Sequence, residues 1–156
     1  MKFLRSAPGE EPINVSGSFD VSAKRLFAAW TKPEQLIKWF GPSPNSLVEA
    51  NIDLTVNGDW RFVIEASETK REHLEGQYLE IEPDAKLVFS WRHVVHLAEG
   101  EEKMTDYSKV TVRFIDQGEK TQLELCHEAI SAEPGRLGVG GGWQRCFEQI
   151  ESMFEL

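Results

Sequence analysis

The spacing of apolar side chains changes character along the chain, and each change predicts an element. Residues 13–19 (INVSGSF) alternate apolar with small or polar positions, the period of a half-buried strand. Ala23, Leu26, Phe27 and Trp30 then recur at three- and four-residue intervals, which predicts an amphipathic helix with Asp20 or Ser22 as its cap. Thr31-Lys32-Pro33-Glu34 has the form of a capping box. A second short helix is expected there, with Pro33 in its first turn, Leu36, Ile37, Trp39 and Phe40 on its buried side, and Gly41-Pro42 as its stop.

From residue 47 the period becomes two, with Val48, Ala50, Ile52 and Leu54 on one face and Glu49, Asn51 and Asp53 on the other. Asn57-Gly58 predicts a tight hairpin, after which Trp60, Phe62, Ile64 and Ala66 return on the core side. Further strands are expected at about 73–81, 86–93, 106–115 and 121–127, joined by hairpins and broken by Pro83-Asp84 and Gln117-Gly118. Residues 97–103 (LAEGEEK) read as a solvated acidic loop. A Gly-rich stretch, 133–142, leads to a terminal amphipathic helix at 143–154, where Trp143, Phe147, Ile150 and Phe154 are spaced by 4, 3 and 4 residues.

No repeat or linker divides this order, so the expectation is a polar tail over residues 1–12 and one α+β domain over 13–156. That domain has a curved antiparallel sheet of six to seven strands. Two short helices follow the first strand, and a long carboxy-terminal helix packs on the concave face.

Composition narrows the partners. With 40% apolar residues in 156, including five Trp and nine Phe, the chain can bury a substantial core without a staple. Seventeen Lys and Arg against twenty-six Asp and Glu leave a formal charge of -9, which repels nucleic acid and anionic lipid, and the basic residues form no stripe. Neither a signal-like leader nor an apolar run of membrane-spanning length occurs, so a cytoplasmic protein without membrane insertion is expected. Cys126 and Cys146 fit reduced packing residues.

Four local sequences carry a family resemblance. Residues 26–42 (LFAAWTKPEQLIKWFGP) resemble the two-helix signature of the activator-of-heat-shock-chaperone-ATPase-like family, within the START and Bet v 1 superfamily. Residues 57–62 (NGDWRF) are similar to its Gly-rich second hairpin, and 76–83 (GQYLEIEP) with 87–91 (LVFSW) to the strands that follow. LELCHE (123–128), with Gly142-Trp143 opening the last helix, resembles the closing signature. The resemblance spans about residues 13–154 and implies a helix-grip fold with a cavity between sheet and helix. It also implies three roles met in the superfamily: apolar-ligand carrier, chaperone-interacting module and cyclase. The family often has a His three residues before the Gly-Trp pair, where this chain has Val139, so no polar role is carried to that position. The eukaryotic co-chaperone of the family has a separate amino-terminal domain for which this chain has no room, so ATPase stimulation is not expected to transfer.

The candidate ligand-binding residues are the inward aromatics Trp60, Phe62, Phe89, Trp91, Trp143 and Phe147, with Tyr78 and His127 as polar handles. Each aromatic serves equally as plain core. His127 continues the alternation of Leu123 and Leu125 and should point inward, whereas Tyr78 shares its phase with Glu80, which leaves its face open. No catalytic residue, metal ligand set or cofactor is assigned. His93 and His96 lack converging partners, GxSxG and HExxH are missing, and Gly138 to Gly142 lacks the Lys-Ser/Thr of a phosphate loop. That glycine run is expected to give the chain conformational freedom where it enters the last helix. The leading reading is a non-catalytic protein, stress-related or binding a hydrophobic small molecule. The alternatives are a chaperone as partner and a cyclase-like enzyme; monomer and homodimer both fit.

Overall fold

A computed structural model describes residues 3–5, 12–41, 47–64, 70–97, 99–128 and 133–154. Its elements run β1 (Leu4–Arg5), β2 (Ile13–Phe19), α1 (Ala23–Thr31), α2 (Pro33–Trp39), β3 (Leu47–Ile52), β4 (Asp59–Ile64), β5 (Lys70–Glu82), β6 (Lys86–Leu97), β7 (Glu102–Met104), β8 (Ser108–Asp116), β9 (Thr121–Glu128) and α3 (Glu133–Phe154). The strands form one antiparallel sheet in the order β1-β2-β9-β8-β6-β5-β4-β3, with β7 added to the end of β6. The three helices pack with its inward faces around a single apolar core, so the helix-grip architecture holds.

Two short strands account for the count rising above seven. The expected polar tail enters the sheet: β1 pairs with β2, and Phe3 is buried against Phe19 and Phe147. The expected acidic loop folds back as β7, whose residues pair with Val94 to His96. Sequence proximity makes that hairpin inexpensive to close, although its side chains stay in water.

Local departures have local causes. Ser22 caps α1, its Oγ accepting the Arg25 N–H at 3.3 Å. The Thr31 capping box does not form, because the Thr31 hydroxyl donates instead to the Phe27 carbonyl at 2.9 Å and Lys32 becomes the cap of α2. Asn57 takes the left-handed conformation, at φ 70°, but Gly58 does not; residues 53–58 form a longer loop. Gly58 is required by space, since a Cβ there would strike the Asp53 carbonyl. In β3 the pairing skips from Leu47 to Glu49, so Val48 is the extra residue of a bulge and faces solvent at 61% exposure, with Leu54 also exposed. Ala66 lies outside the described residues.

A second bulge settles Tyr78. Its partner is Phe89 and that of Glu80 is Val88, so Leu79 is the inserted residue and Tyr78 turns inward, 3% exposed. Two residues before it, Gly76 lets the Ser90 backbone approach β5 closely. A Cβ at Gly76 would collide with the Ser90 carbonyl, the same oxygen that accepts the Trp60 indole N–H at 3.1 Å.

Two ties fix the helices. Trp39, fully buried, donates its indole N–H to the Ala29 carbonyl at 2.8 Å and so locks α2 to α1. Gln149 of α3 donates to the carbonyls of Trp39 and Gly41, at 2.5 and 3.1 Å, where α2 ends. The helix expected from residue 143 begins at Glu133 and runs through the glycine run, so that stretch is the first half of a 22-residue helix, not a loose entry. No helix among the described residues is long and apolar enough to cross a membrane.

Candidate functional site

The functional question turns on how α3 meets the sheet. His127, on β9, is wholly buried and has both ring nitrogens engaged. The Trp143 indole can only donate, and it does so to His127 Nδ1 at 3.0 Å. The ring proton therefore sits on Nε2 and is donated to Ser108 Oγ at 2.6 Å, and the Ser108 hydroxyl donates onward to the Trp91 carbonyl at 3.3 Å. This chain joins α3, β9, β8 and β6. Burial pulls His127 down to about pKa 3, so the imidazole is neutral at physiological pH and acts as a rigid bridge.

Just outside that bridge the packing opens. A pocket of about 200 Å³ is lined by Phe40 and Gly41 after α2, Ile64 and Leu74 on the sheet, Trp91, and Gly142, Trp143, Arg145 and Cys146 of α3. Trp91 and Trp143 form its floor, their rings 5.2 Å apart and tilted by 50°. Three chain events create the opening. Residue 40 follows the end of α2, the sheet loses the β6–β8 pairing after Trp91, and α3 presents Gly142 where a Cβ would meet nothing within 4 Å. The Cys146 thiol, buried in the wall, is pushed up to about pKa 11 by burial, despite the lowering influence of the Arg145 charge. It is therefore a thiol and not a thiolate.

The deep wedge between sheet and helices is a different matter. Trp60, Phe62, Tyr78 and Phe89, with Trp30, Leu36, Phe40 and Leu87, surround a void of only about 10 Å³. That is at most the room of one water molecule. Tyr78 loses solvent on every side, and burial raises its phenol well above the ordinary value.

The eight candidate residues thus divide. Trp91 and Trp143 line the open pocket, and His127 stands behind them with its ring 5.3 Å from that of Trp91. Trp60, Phe62, Tyr78 and Phe89 fill the closed wedge, and Phe147 packs against Phe3 and Phe19 on the far side of the core. Pattern reasoning gave no binding role to Leu74, Gly142, Arg145 or Cys146. Their positions at 142, 145 and 146 do share one helix face, but only the placement of α2 decides that this face borders a pocket.

Elsewhere, polar side chains pair with one another. His73 and Arg92 both bond to Glu75; burial raises the Glu75 carboxyl, and the hydrogen bonds from Arg92 and His73 outweigh it and hold the group below its ordinary value. The Arg92 guanidinium lies over the Tyr107 ring, 4.6 Å from its centre. His93 meets Glu72 at 3.4 Å and His96 meets Glu102 at 3.0 Å. No group of three metal-ligating side chains converges among the described residues, and neither Cys126 nor Cys146 is in a disulfide. A broader and more polar depression of about 650 Å³ is lined by Asp59, Trp60, Arg61, Glu75, Gly76, Gln77, Leu79, Ser90 and Tyr107.

Comparison with known proteins agrees with this architecture. The family model described as "Activator of Hsp90 ATPase homolog 1-like protein" matches residues 20–155. Among solved structures, CalU16 from Micromonospora echinospora is 24% identical with a TM-score of 0.67, over 96% of this chain and 84% of that one. The AHSA1 protein from Silicibacter pomeroyi is 22% identical with a TM-score of 0.70, over 91% and 96% of the two chains. A protein from Rhodobacter sphaeroides is 18% identical with a TM-score of 0.73, over 97% of each. At these identities the likeness is one of fold. No curated protein matches the sequence significantly.

Proposed function

Because the chain belongs to the Activator of Hsp90 ATPase homolog 1-like family, whose fold sets a helix against a curved sheet, we propose that it binds a small hydrophobic molecule at the mouth between α2, α3 and the sheet. The observation that carries this reading is the pocket of about 200 Å³ walled by Phe40, Leu74, Trp91 and Trp143. Apolar concavities with a few polar groups at the rim are the usual form of small-molecule sites. Binding, not catalysis, is the better reading, since His127 has neither a lone pair nor a proton left for a substrate. The cavity wedge that a cyclase-like enzyme would use is occupied by side chains. Two cysteines outside any disulfide are in keeping with action in the reducing cytoplasm.

The test is a thermal-shift screen of apolar compounds on the wild-type protein and on Gly142→Leu, whose added side chain enters open space beside the pocket. A ligand at about one hundred times its Kd stabilises by about 2.7 kcal/mol, or roughly 5–10 °C for a chain of this size. Such shifts are expected for the wild type and are expected to vanish in Gly142→Leu. If no compound shifts the wild type, or the variant responds equally, the site assignment fails.

A further inference from the structure

Three features of the mouth pocket bear on what it selects. Its walls are flat and aromatic where the floor is formed, with Trp91 packed on Trp143 and Phe40 at 6.0 Å from each of them. Its volume is small: an apolar cavity of about 150 Å³ takes one benzene ring, so about 200 Å³ with an open side admits one or two fused rings and excludes a long acyl chain. Its rim carries Arg145, an exposed cation that no ion pair engages among the described residues. The guanidinium is near enough to the Cys146 sulfur to act on it electrostatically. Glu148, three residues further along α3, makes no ion pair with it, and the carboxylate of Glu72, which is paired in register with Ile64 at the pocket wall, is met by His93. In a chain of net charge -9, a cation with no ion pair among the described residues at the edge of an apolar pocket offers an anion a favourable contact.

We infer, deepening the binding reading above and resting on it, that the pocket selects a planar aromatic carboxylate of one or two fused rings, its ring against Trp91 and Trp143 and its carboxylate at Arg145. Ring stacking and edge contacts with indoles favour an aromatic over an aliphatic body. A guanidinium presents a planar fork that matches a carboxylate with two parallel hydrogen bonds, which an ammonium cannot do.

The experiment measures binding of 2-naphthoate, 2-naphthalenemethanol and octanoate by tryptophan fluorescence and calorimetry, at about pH 7.5 where both acids are ionised. Wild-type protein should bind naphthoate about fivefold more tightly than the alcohol, the advantage of a partly exposed charge pair, and more tightly than octanoate. In Arg145→Gln the preference for naphthoate should disappear while the alcohol binds as before, and Arg145→Glu should reverse it. Added salt should shrink the wild-type preference. Arg145 is exposed, so these variants should melt at the wild-type temperature, which circular dichroism checks. Equal binding of acid and alcohol by the wild type, or naphthoate affinity unchanged in Arg145→Gln, overturns the carboxylate assignment and leaves the hydrophobic site standing. Octanoate binding as tightly as naphthoate overturns the aromatic assignment. If none of the three probes binds, while apolar compounds in the screen do, the ligand class is wrong. If nothing in the screen binds either, the site itself falls.

Discussion

The closed wedge and the open mouth use the same kinds of side chain and reach opposite outcomes. Around the wedge, Trp60, Phe62, Tyr78 and Phe89 come from the three neighbouring strands β4, β5 and β6, and α1 and α2 press onto them until about 10 Å³ is left. At the mouth, Phe40 follows the end of α2, Trp91 makes the last β6–β8 pair and Trp143 follows Gly142 in α3, while Leu74 stays paired within the sheet. A void follows from how elements diverge, and aromatic content alone does not predict it. Ring geometry shows the same contrast. Trp60 and Phe62 sit 4.7 Å apart and are both buried, whereas Trp91 is only partly buried although it touches four other rings.

The widest expected separation between the two regions is in stability. Trp60→Ala should cost about 4 kcal/mol, since it empties a filled layer and leaves the Ser90 carbonyl without its indole partner. Trp91→Ala, at the half-open mouth, should cost about 2 kcal/mol and abolish ligand-induced shifts. Urea unfolding of both variants measures the difference, and equal costs would mean that the mouth is packed as tightly as the wedge.

Next in size is Gly76→Ala, which drives a methyl into the Ser90 carbonyl. A loss of about 3 kcal/mol is expected from such overpacking. A loss below about 0.5 kcal/mol, the usual range of surface substitutions, would show that this close contact relaxes freely.

The His127 bridge gives a pH signature. Its folded pKa is depressed to about 3, so between the ordinary unfolded value near 6.5 and that point the unfolded chain takes up a proton that the folded chain refuses. Its contribution to stability is thus complete above pH ~6.5 and falls as pH drops, by about 1.4 kcal/mol per unit. The cleanest window is about pH 4.5–6.5, above the range where the depressed carboxyl of Glu75 begins to protonate. His127→Gln keeps an acceptor for Trp143 and a donor for Ser108 and cannot titrate, so its stability should fall less steeply with acid in that window. Parallel slopes for the two proteins in denaturant titrations would remove the neutral bridge.

The smallest effect, and opposite in sign, is at the mouth's own glycine. Gly142→Ala should stabilise α3 by about 0.5–1 kcal/mol, because its Cβ meets no atom within 4 Å. A drop in melting temperature would indicate that the space is occupied in solution.

Much of the architecture can be read from one-dimensional periodicity. Strand β2 spans residues 13–19 as its alternation predicts, the four later hairpin strands lie where their breaks at Asp84 and Gly118 place them, and the spacing of Trp143, Phe147 and Ile150 points those residues into the core. Local chemistry misled where two local options competed. Thr31 had a choice between capping and bonding back to Phe27, and the bulges at Val48 and Leu79 reversed strand phase without any mark in the residue types.

What the chain determined by itself is therefore the set of elements and which face of most of them is apolar, since those depend on neighbours within a few residues. Whether an inward aromatic closes a layer or borders a pocket depended on the angles at which α2, α3 and the split sheet meet, which are set by contacts between residues far apart in sequence, such as Gln149 on Trp39 and Trp143 on His127. Arg145 gained its place on the rim in the same way. Its neighbours along the helix say only that it is exposed, and tertiary packing alone sets an apolar hollow beside it.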